Sequence, residues 1–273
     1  MPEGPEIRLA ADRVARVLVD NEIVDVALEL PGIRPFEPRL RGSRVTAVDT
    51  LGKAMLTRFD NGLTLFSHNQ LYGRWYTTKR PKVPSTRRSL RVALHTTTHS
   101  ALLYSASDIE VLTDEEVASH PFLARLGPDI LDAALTSKQV ADRLASPEFR
   151  NRSLGSLYLD QRFLAGNGNY LRSEILWAAC VGPKQKPSEL DKATLKRLAS
   201  ATLKIARRSY RTRGITATST EVRKRAALGM TYQQYRFQVY GRENLPCYAC
   251  ETPVERITIS SRGVFLCPSC QDA

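Results

Sequence analysis

The sequence predicts an α+β chain of two domains: a β-sandwich with a flanking N-terminal helix, then a helical domain ending in a four-cysteine β-hairpin. Three observations carry this prediction. The first 120 residues hold one stretch of helical spacing followed by short apolar segments separated by turns. From about residue 121, apolar residues recur at three- and four-residue intervals instead. The final segment holds Cys247-x-x-Cys250 and Cys267-x-x-Cys270. A single helix followed by successive strands favours a sandwich over a parallel α/β sheet. The boundaries on this reading are 1–120, 121–236 and 237–273.

The first helix is expected because Ile7, Ala10, Ala11, Val14, Val17 and Leu18 form one apolar face. Pro5 suits its first turn, where a missing N–H leaves no bond unmade. Strands are expected at Val45–Val48, Ala54–Phe59, Leu63–Ser67, Leu90–His95 and Ala101–Ser105. Asp60-Asn61-Gly62 joins two of them and carries a strong hairpin signal. Trp75, Trp177 and the lone Cys180 read as core, and the four histidines have no ligand spacing.

In the second half, Thr136 and Gln139 form a capping box ahead of Val140 and Leu144. Leu154–Leu164, Tyr170–Cys180 and Leu195–Ala206 read as helices, with the glycine-rich turn Gly166-Asn167-Gly168-Asn169 between the first two. Lys204–Arg225, with eight basic residues and one acid, reads as an exposed loop. Its Arg207, Arg208, Arg211 and Arg213 either contact phosphates or solvate the loop.

The last 33 residues are too few to enclose an apolar core. Four thiolates at this spacing match a structural zinc site, with paired disulfides the other chemistry available. Zinc contributes roughly 10–16 kcal/mol to folding in zinc-finger peptides. Ile257–Ile259 and Val264–Leu266 flank Ser260-Ser261-Arg262-Gly263, a hairpin between the knuckles with Arg262 near its tip.

Composition removes whole classes. With 42% hydrophobic and 25% charged residues the chain is not disordered. No apolar run approaches the roughly 18 residues of a membrane span, and the start has no secretory pattern, so a cytoplasmic protein is expected. The net charge of +12 is unevenly placed: residues 121–240 hold 21 basic and 9 acidic side chains, and the flanking segments are near neutral. A surplus of that size draws a polyanion, most simply nucleic acid, or else solvates the surface.

Pro2 is the least expected candidate for chemistry. Removal of Met1 would expose a secondary amine able to attack a carbonyl-type carbon, with Glu3 beside it to move protons. A contiguous polar, apolar and aromatic trio, Gln70-Leu71-Tyr72, could fill a hole left by an extruded base, or could be core after a strand.

Met1-Pro2-Glu3-Gly4-Pro5-Glu6-Ile7, Gly52-Lys53-Ala54, Ser67-His68-Asn69-Gln70-Leu71-Tyr72-Gly73, Gly166-Asn167-Gly168-Asn169-Tyr170 and the final cysteine hairpin occur in this order. Together they resemble the Fpg/Nei family of bifunctional DNA glycosylases, and within it the endonuclease VIII branch. The resemblance runs from Pro2 to Cys270. It implies an eight-stranded sandwich, a helix–two-turns–helix motif in the second domain, and a structural Zn2+ on Cys247, Cys250, Cys267 and Cys270.

It further implies that Pro2 attacks C1′ of the damaged nucleotide, Glu3 supplies acid/base catalysis and Glu6 is a second active-site carboxylate. Lys53 and Arg262 are then phosphate-neutralising residues, and Gln70, Leu71, Tyr72, Arg125 and Asn169 contact DNA. The implied partner is double-stranded DNA with oxidised bases or abasic sites, bound by a monomer without a membrane. The implied reaction is removal of oxidised pyrimidines, thymine glycol among them, with nicking by β,δ-elimination. The alternatives are an oxidised-purine glycosylase of the same family and a non-catalytic zinc-ribbon DNA-binding protein. Asn167 stands where the family usually has an aliphatic residue, and Thr216–Tyr235 looks longer than its usual counterpart.

Overall fold

A computed structural model describes residues 2–271. Two compact units separate: Pro2 with Glu6–Arg125, and Glu3–Pro5 with the chain from Leu126 onward.

Most of α1 (Gly4–Leu18) belongs to the first unit, with Glu6 in its first turn and Arg16 in its last, the placement a helix dipole favours. Its apolar face is the predicted one; Ile7, Ala11, Val14 and Leu18 are buried. Eight strands follow in two antiparallel sheets. One is ordered β2 (Val45–Leu51), β3 (Ala54–Phe59), β4 (Leu63–His68), β8 (Asp108–Thr113). The other is ordered β1 (Asp25–Leu28), β6 (Leu90–His95), β7 (His99–Tyr104), β5 (Arg74–Lys79). Met55, Phe59 and Leu65 of the first sheet share one core with Trp75, Val92, Leu94 and Leu103 of the second, and with α1. Two short helices, α2 (Glu37–Leu40) and α3 (Asp114–Ser119), complete the unit.

The residue pattern alone points to five strands, and the three it misses are all edge strands. β1 has four residues, β5 reads Arg-Trp-Tyr-Thr-Thr-Lys, and β8 starts Asp-Ile-Glu. An edge strand is paired on one side only and carries more polar side chains, which weakens the apolar signal. At the Asp60–Gly62 turn only Gly62 has positive φ, +76°.

In the second unit α4 (Ser137–Ala145) begins at the predicted capping box, with Gln139 N–H donating to Thr136 Oγ1 at 3.3 Å. The helix expected over Leu154–Leu164 ends early, as α5 (Leu154–Leu157). Asp160 turns the chain there: its carboxylate accepts from the Arg162 N–H at 2.9 Å and from Arg152 at 2.6 Å. α6 (Asn169–Ala178) and α7 (Lys192–Arg211) follow. Leu171, Ile175, Leu198 and Ile205 meet Val140, Leu144 and Phe149 in one core.

The basic stretch Lys204–Arg225 is not a loop. α7 runs on to Arg211, and α8 (Ser219–Ala227) starts at a Thr218–Glu221 capping box, followed by α9 (Tyr232–Tyr235). Arg207 donates to the carbonyls of Asp132 and Leu135, and Arg208 to that of Thr216, so these cations close the fold. Cys180 is exposed rather than core. It lies just past α6 at φ +52°, with the Val181 N–H donating back to Leu176, so its side chain leaves the helix face. Trp75 is core, whereas Trp177 is only partly buried, against Val239 and Val254. Strands β9 (Glu255–Ile259) and β10 (Arg262–Leu266) form the terminal hairpin, turned by Ser260 and Ser261, both at positive φ. Among the described residues no helix is long and apolar enough to cross a membrane.

Candidate functional site

Glu3 is 3% exposed, and what buries it is the turn before α6. Its Oε1 accepts from the Tyr170 N–H at 2.7 Å and its Oε2 from the Leu171 N–H at 3.2 Å. These are first-turn donors of α6, which have no partner within their own helix, and the positive helix end attracts the carboxylate. Two glycines make room. A Cβ on Gly168 would lie 2.4 Å from Glu3 Cδ, and one on Gly4 would lie 3.0 Å from the Gly166 carbonyl oxygen. The Gly4 N–H donates to that same carbonyl at 2.8 Å. The N–H groups that this glycine-rich turn presents at Tyr170 and Leu171 are thus taken up by Glu3.

Asn169 and Arg262 are brought together by a residue the sequence reading passed over. Arg172 is fully buried, and its guanidinium donates to Asn169 Oδ1 at 2.6 Å, to the Gly263 carbonyl at 3.1 Å and to the Gly155 carbonyl at 2.7 Å. Burial lowers its pKa to about 10, with Glu3 opposing the drop and Arg262 adding to it, so it stays charged at neutral pH. Because Arg172 occupies the amide oxygen of Asn169, the amide nitrogen is left as the outward donor. Asn169 and Gly263 line an open cavity of about 380 Å3 together with Arg256. Arg262 is exposed at the start of β10, paired with Ile259.

Two positions on from Arg172, Glu174 is also buried. It accepts from the N–H groups of Gln238, Val239 and Tyr240 at 2.8–2.9 Å, fixing the chain just before the cysteine module. Two opposite charges in a helix that holds no others were the available signal for both residues.

In the first unit, Pro2 is half-buried at the start of the described chain and Glu6 lies half-buried in the first turn of α1. Lys53 sits on the tight hairpin between β2 and β3, where Leu51 pairs with Ala54 and Gly52 takes φ +62°. His68 ends β4. Burial lowers its pKa, with Asp108 opposing and Lys53 adding to the shift. Next comes the Gln70–Tyr72 turn. Leu71 and Tyr72 are 57% and 68% exposed, which excludes a core role for the pair. Gly73 closes the turn, and a Cβ there would lie 2.7 Å from the Asn69 backbone. Arg125 is exposed, its Nε donating to the Pro121 carbonyl at 2.6 Å.

The four module cysteines are all free thiols, and their sulfurs lie within 4.8 Å of one another. The Cys250–Cys267, Cys250–Cys270 and Cys247–Cys270 separations are 3.3, 3.4 and 3.9 Å. A tetrahedral ion with bonds of about 2.3 Å sets its sulfurs about 3.8 Å apart, whereas a disulfide needs about 2.05 Å. The cluster is arranged to hold a metal ion.

Family models agree with this architecture: the formamidopyrimidine-DNA glycosylase N-terminal domain matches residues 1–107, and the H2TH domain of the same enzymes matches residues 126–221. The chain is 48% identical over 271 residues to endonuclease 8 of Salmonella enteritidis, covering 99% of this chain and 100% of that protein. The same figures hold for endonuclease 8 of Klebsiella pneumoniae. Among solved structures, Lactococcus lactis Fpg bound to DNA containing N7-benzyl-Fapy-dG superposes with a TM-score of 0.82 at 19% identity, over 100% of both chains. The same enzyme bound to DNA containing an oxidised pyrimidine gives 0.81 at 20% identity, again over 100% of both.

Proposed function

The chain belongs to the Fpg/Nei family, whose members are DNA glycosylases with abasic-site lyase activity, and from that premise we propose that it removes oxidised pyrimidines through an iminium formed on Pro2. The observation that carries the reading is the seat of Glu3. A carboxylate adjoining the candidate nucleophile in sequence is held on both oxygens by a helix N-terminus, and glycines clear the space. Such pre-set geometry removes reorganisation from the chemical step.

Once Met1 is removed, the Pro2 nitrogen lone pair forms a bond to C1′ while the C1′–base bond breaks, and the base leaves with a proton. Glu3 is the group placed to carry protons in this exchange. The sugar ring then opens: the C1′–O4′ bond breaks, O4′ takes up a proton, and the nitrogen lone pair forms the C1′=N+ iminium. This iminium acidifies the C2′ proton, because the electrons of that bond can flow into the cation. Its loss expels the 3′ phosphate by breaking C3′–O, and a second elimination expels the 5′ phosphate. Lys53 and Arg262 neutralise the charge on the leaving phosphates, with Asn169 offering its amide N–H2 to the backbone. The DNA-contacting roles of Gln70, Leu71, Tyr72 and Arg125, and that of Glu6 as a second carboxylate, rest on the family's pattern.

The pyrimidine preference is supported by the contiguous, exposed Gln70-Leu71-Tyr72 turn and by the endonuclease 8 relatives. Cys247, Cys250, Cys267 and Cys270 would hold a zinc ion, which supplies the fixed scaffold for Arg262 rather than chemistry. The domains at 1–120, 121–236 and 237–273 then supply, in order, the catalytic sandwich, backbone binding and the hairpin arginine.

Borohydride reduction during turnover of a thymine-glycol duplex tests the reading. Wild-type protein is expected to be trapped on DNA, and Pro2→Gly, which keeps a free amine, to be trapped far less. Trapping at the wild-type level in an N-terminally blocked variant contradicts the nucleophile. Faster turnover of an 8-oxoguanine duplex than of thymine glycol contradicts the pyrimidine preference.

A further inference from the structure

The first 120 residues are near neutral in sum, but the sum conceals a segregation: residues 61–107 carry seven basic side chains and no acidic one. Six of these cations, Arg74, Lys79, Arg80, Lys82, Arg87 and Arg88, are exposed. The register of the second sheet sorts them into two groups. β5 and β6 both pair with β7, and Arg74 and Leu90 both lie opposite Tyr104. The residues just before these two strands, Gln70–Gly73 and Arg87–Ser89, therefore meet at one end of the sheet. Lys79 pairs with His99 at the other end. The chain leaving β7 returns to the first group as well, where the Ser105 N–H donates to the Ser89 carbonyl at 2.8 Å.

Two side chains from this convergence hold the exposed turn. Arg88 donates from its guanidinium to the Tyr72 carbonyl. Ser107 donates to Gln70 Oε1 at 3.3 Å. The Arg88 backbone is itself tied, its N–H donating to Thr86 Oγ1 at 3.2 Å. The turn needs such support because Leu71 and Tyr72 are largely exposed, and Gln70 is held at φ +47°, a region disfavoured for a residue with a side chain.

We propose that Arg88 is a positioning residue, assisted by Ser107, that braces the Gln70–Leu71–Tyr72 turn in its protruding form for entry into the DNA stack. The proposal rests on the reading of that turn as the element that fills the vacated position. Arg88 takes the carbonyl at the end of the trio and Ser107 takes the amide oxygen at its beginning. Gln70 is left presenting its amide N–H2 outward, toward acceptors on the unpaired base. Arg87 beside it is exposed and holds its charge for a backbone phosphate.

The test compares incision of an abasic site in a duplex with incision of the same strand alone, in the full chain and in Tyr72→Ala, Arg88→Ala, Arg88→Lys and Arg87→Ala. A single strand leaves no hole to fill. If the brace acts through the turn, Arg88→Ala lowers the duplex-to-single-strand ratio by about tenfold, the loss of one charge-assisted hydrogen bond. Tyr72→Ala lowers it comparably, Arg88→Lys recovers part of the ratio, and Arg87→Ala lowers both rates together. A wild-type ratio in Arg88→Ala beside a lowered one in Tyr72→Ala overturns the brace. An unchanged ratio in Tyr72→Ala overturns the underlying reading of the turn. Equal loss of both rates in Arg88→Ala and in Arg88→Lys also overturns the brace, since only general stability has then changed.

Discussion

Glu3 in the second unit and the Gln70–Tyr72 turn in the first are the best-defined candidate groups of their units, and they are built in opposite ways. Glu3 is buried, bound on both oxygens by backbone N–H groups and enclosed where two glycines leave no spare room. The turn stands in solvent, with Tyr72 68% exposed, and is held by side chains from two neighbouring segments. Backbone donors of a packed helix cannot be moved without unfolding it, which suits a group that must meet the same atoms at every turnover. An exposed turn contributes little to the core and can meet a duplex of any sequence. Substitutions at the seat should therefore damage fold and chemistry together, whereas those at the turn should alter how DNA is engaged and leave melting nearly unchanged.

The sharpest way to break the comparison is Gly168→Ala. A methyl group 2.4 Å from Glu3 Cδ must displace the carboxylate or the helix start. Overpacking of this kind costs about 1–3 kcal/mol, and a displacement of about 1 Å at a catalytic group lowers rate on the order of a hundredfold. A melting curve and a single-turnover incision assay read both effects, and a variant with normal incision would mean that Glu3 needs no such seat.

Cys250→Ser is expected to act next most strongly. It removes one of four metal-binding sulfurs, and chelation should reproduce its effect. Bound metal should fall below one per chain, the hairpin should loosen, and the second elimination, to which the proposed mechanism assigns Arg262, should slow more than the first. Metal analysis alongside the ratio of β- to δ-elimination products checks this, with an unchanged ratio in metal-free protein as the opposing result.

The smallest effect concerns pH and the turn. Burial holds the pKa of His68 below its ordinary value, so the neutral ring can accept the Gln70 N–H on Nδ1 at 3.3 Å. The unfolded chain then binds a proton more readily than the folded one. The stability due to the neutral ring is present above the unfolded pKa of about 6.5 and is lost as pH falls through the range below it. Melting temperatures measured between pH 7.5 and pH 5 should fall more steeply in the wild type than in His68→Gln. Parallel curves would remove His68 from the support of the turn.

Much of this was legible in the sequence where the signal is local. The apolar face of α1, the Thr136–Gln139 box and the paired cysteine knuckles each lie within a few residues, and each appears where its pattern places it. Charge misled at Lys204–Arg225. Its cations hid the amphipathic end of α7, although the Thr218–Glu221 box was present in the sequence as a helix start. The seat of Glu3 was not legible, since its partners lie 167 and 168 residues away and are backbone atoms without side-chain identity. Arg172 gave only the signal of its charge beside Glu174, because the Gly155 and Gly263 carbonyls that it serves lie in two other segments of the chain.

In the proposed mechanism the nitrogen of Pro2, next to the seated Glu3 in the chain, forms the covalent link to DNA. The most direct measurement is peptide mapping by mass spectrometry of the borohydride-reduced protein–DNA adduct. The reduced sugar is expected on the nitrogen of Pro2, at one per chain. An adduct on Lys53, or incision that proceeds with no trapped adduct, would contradict it.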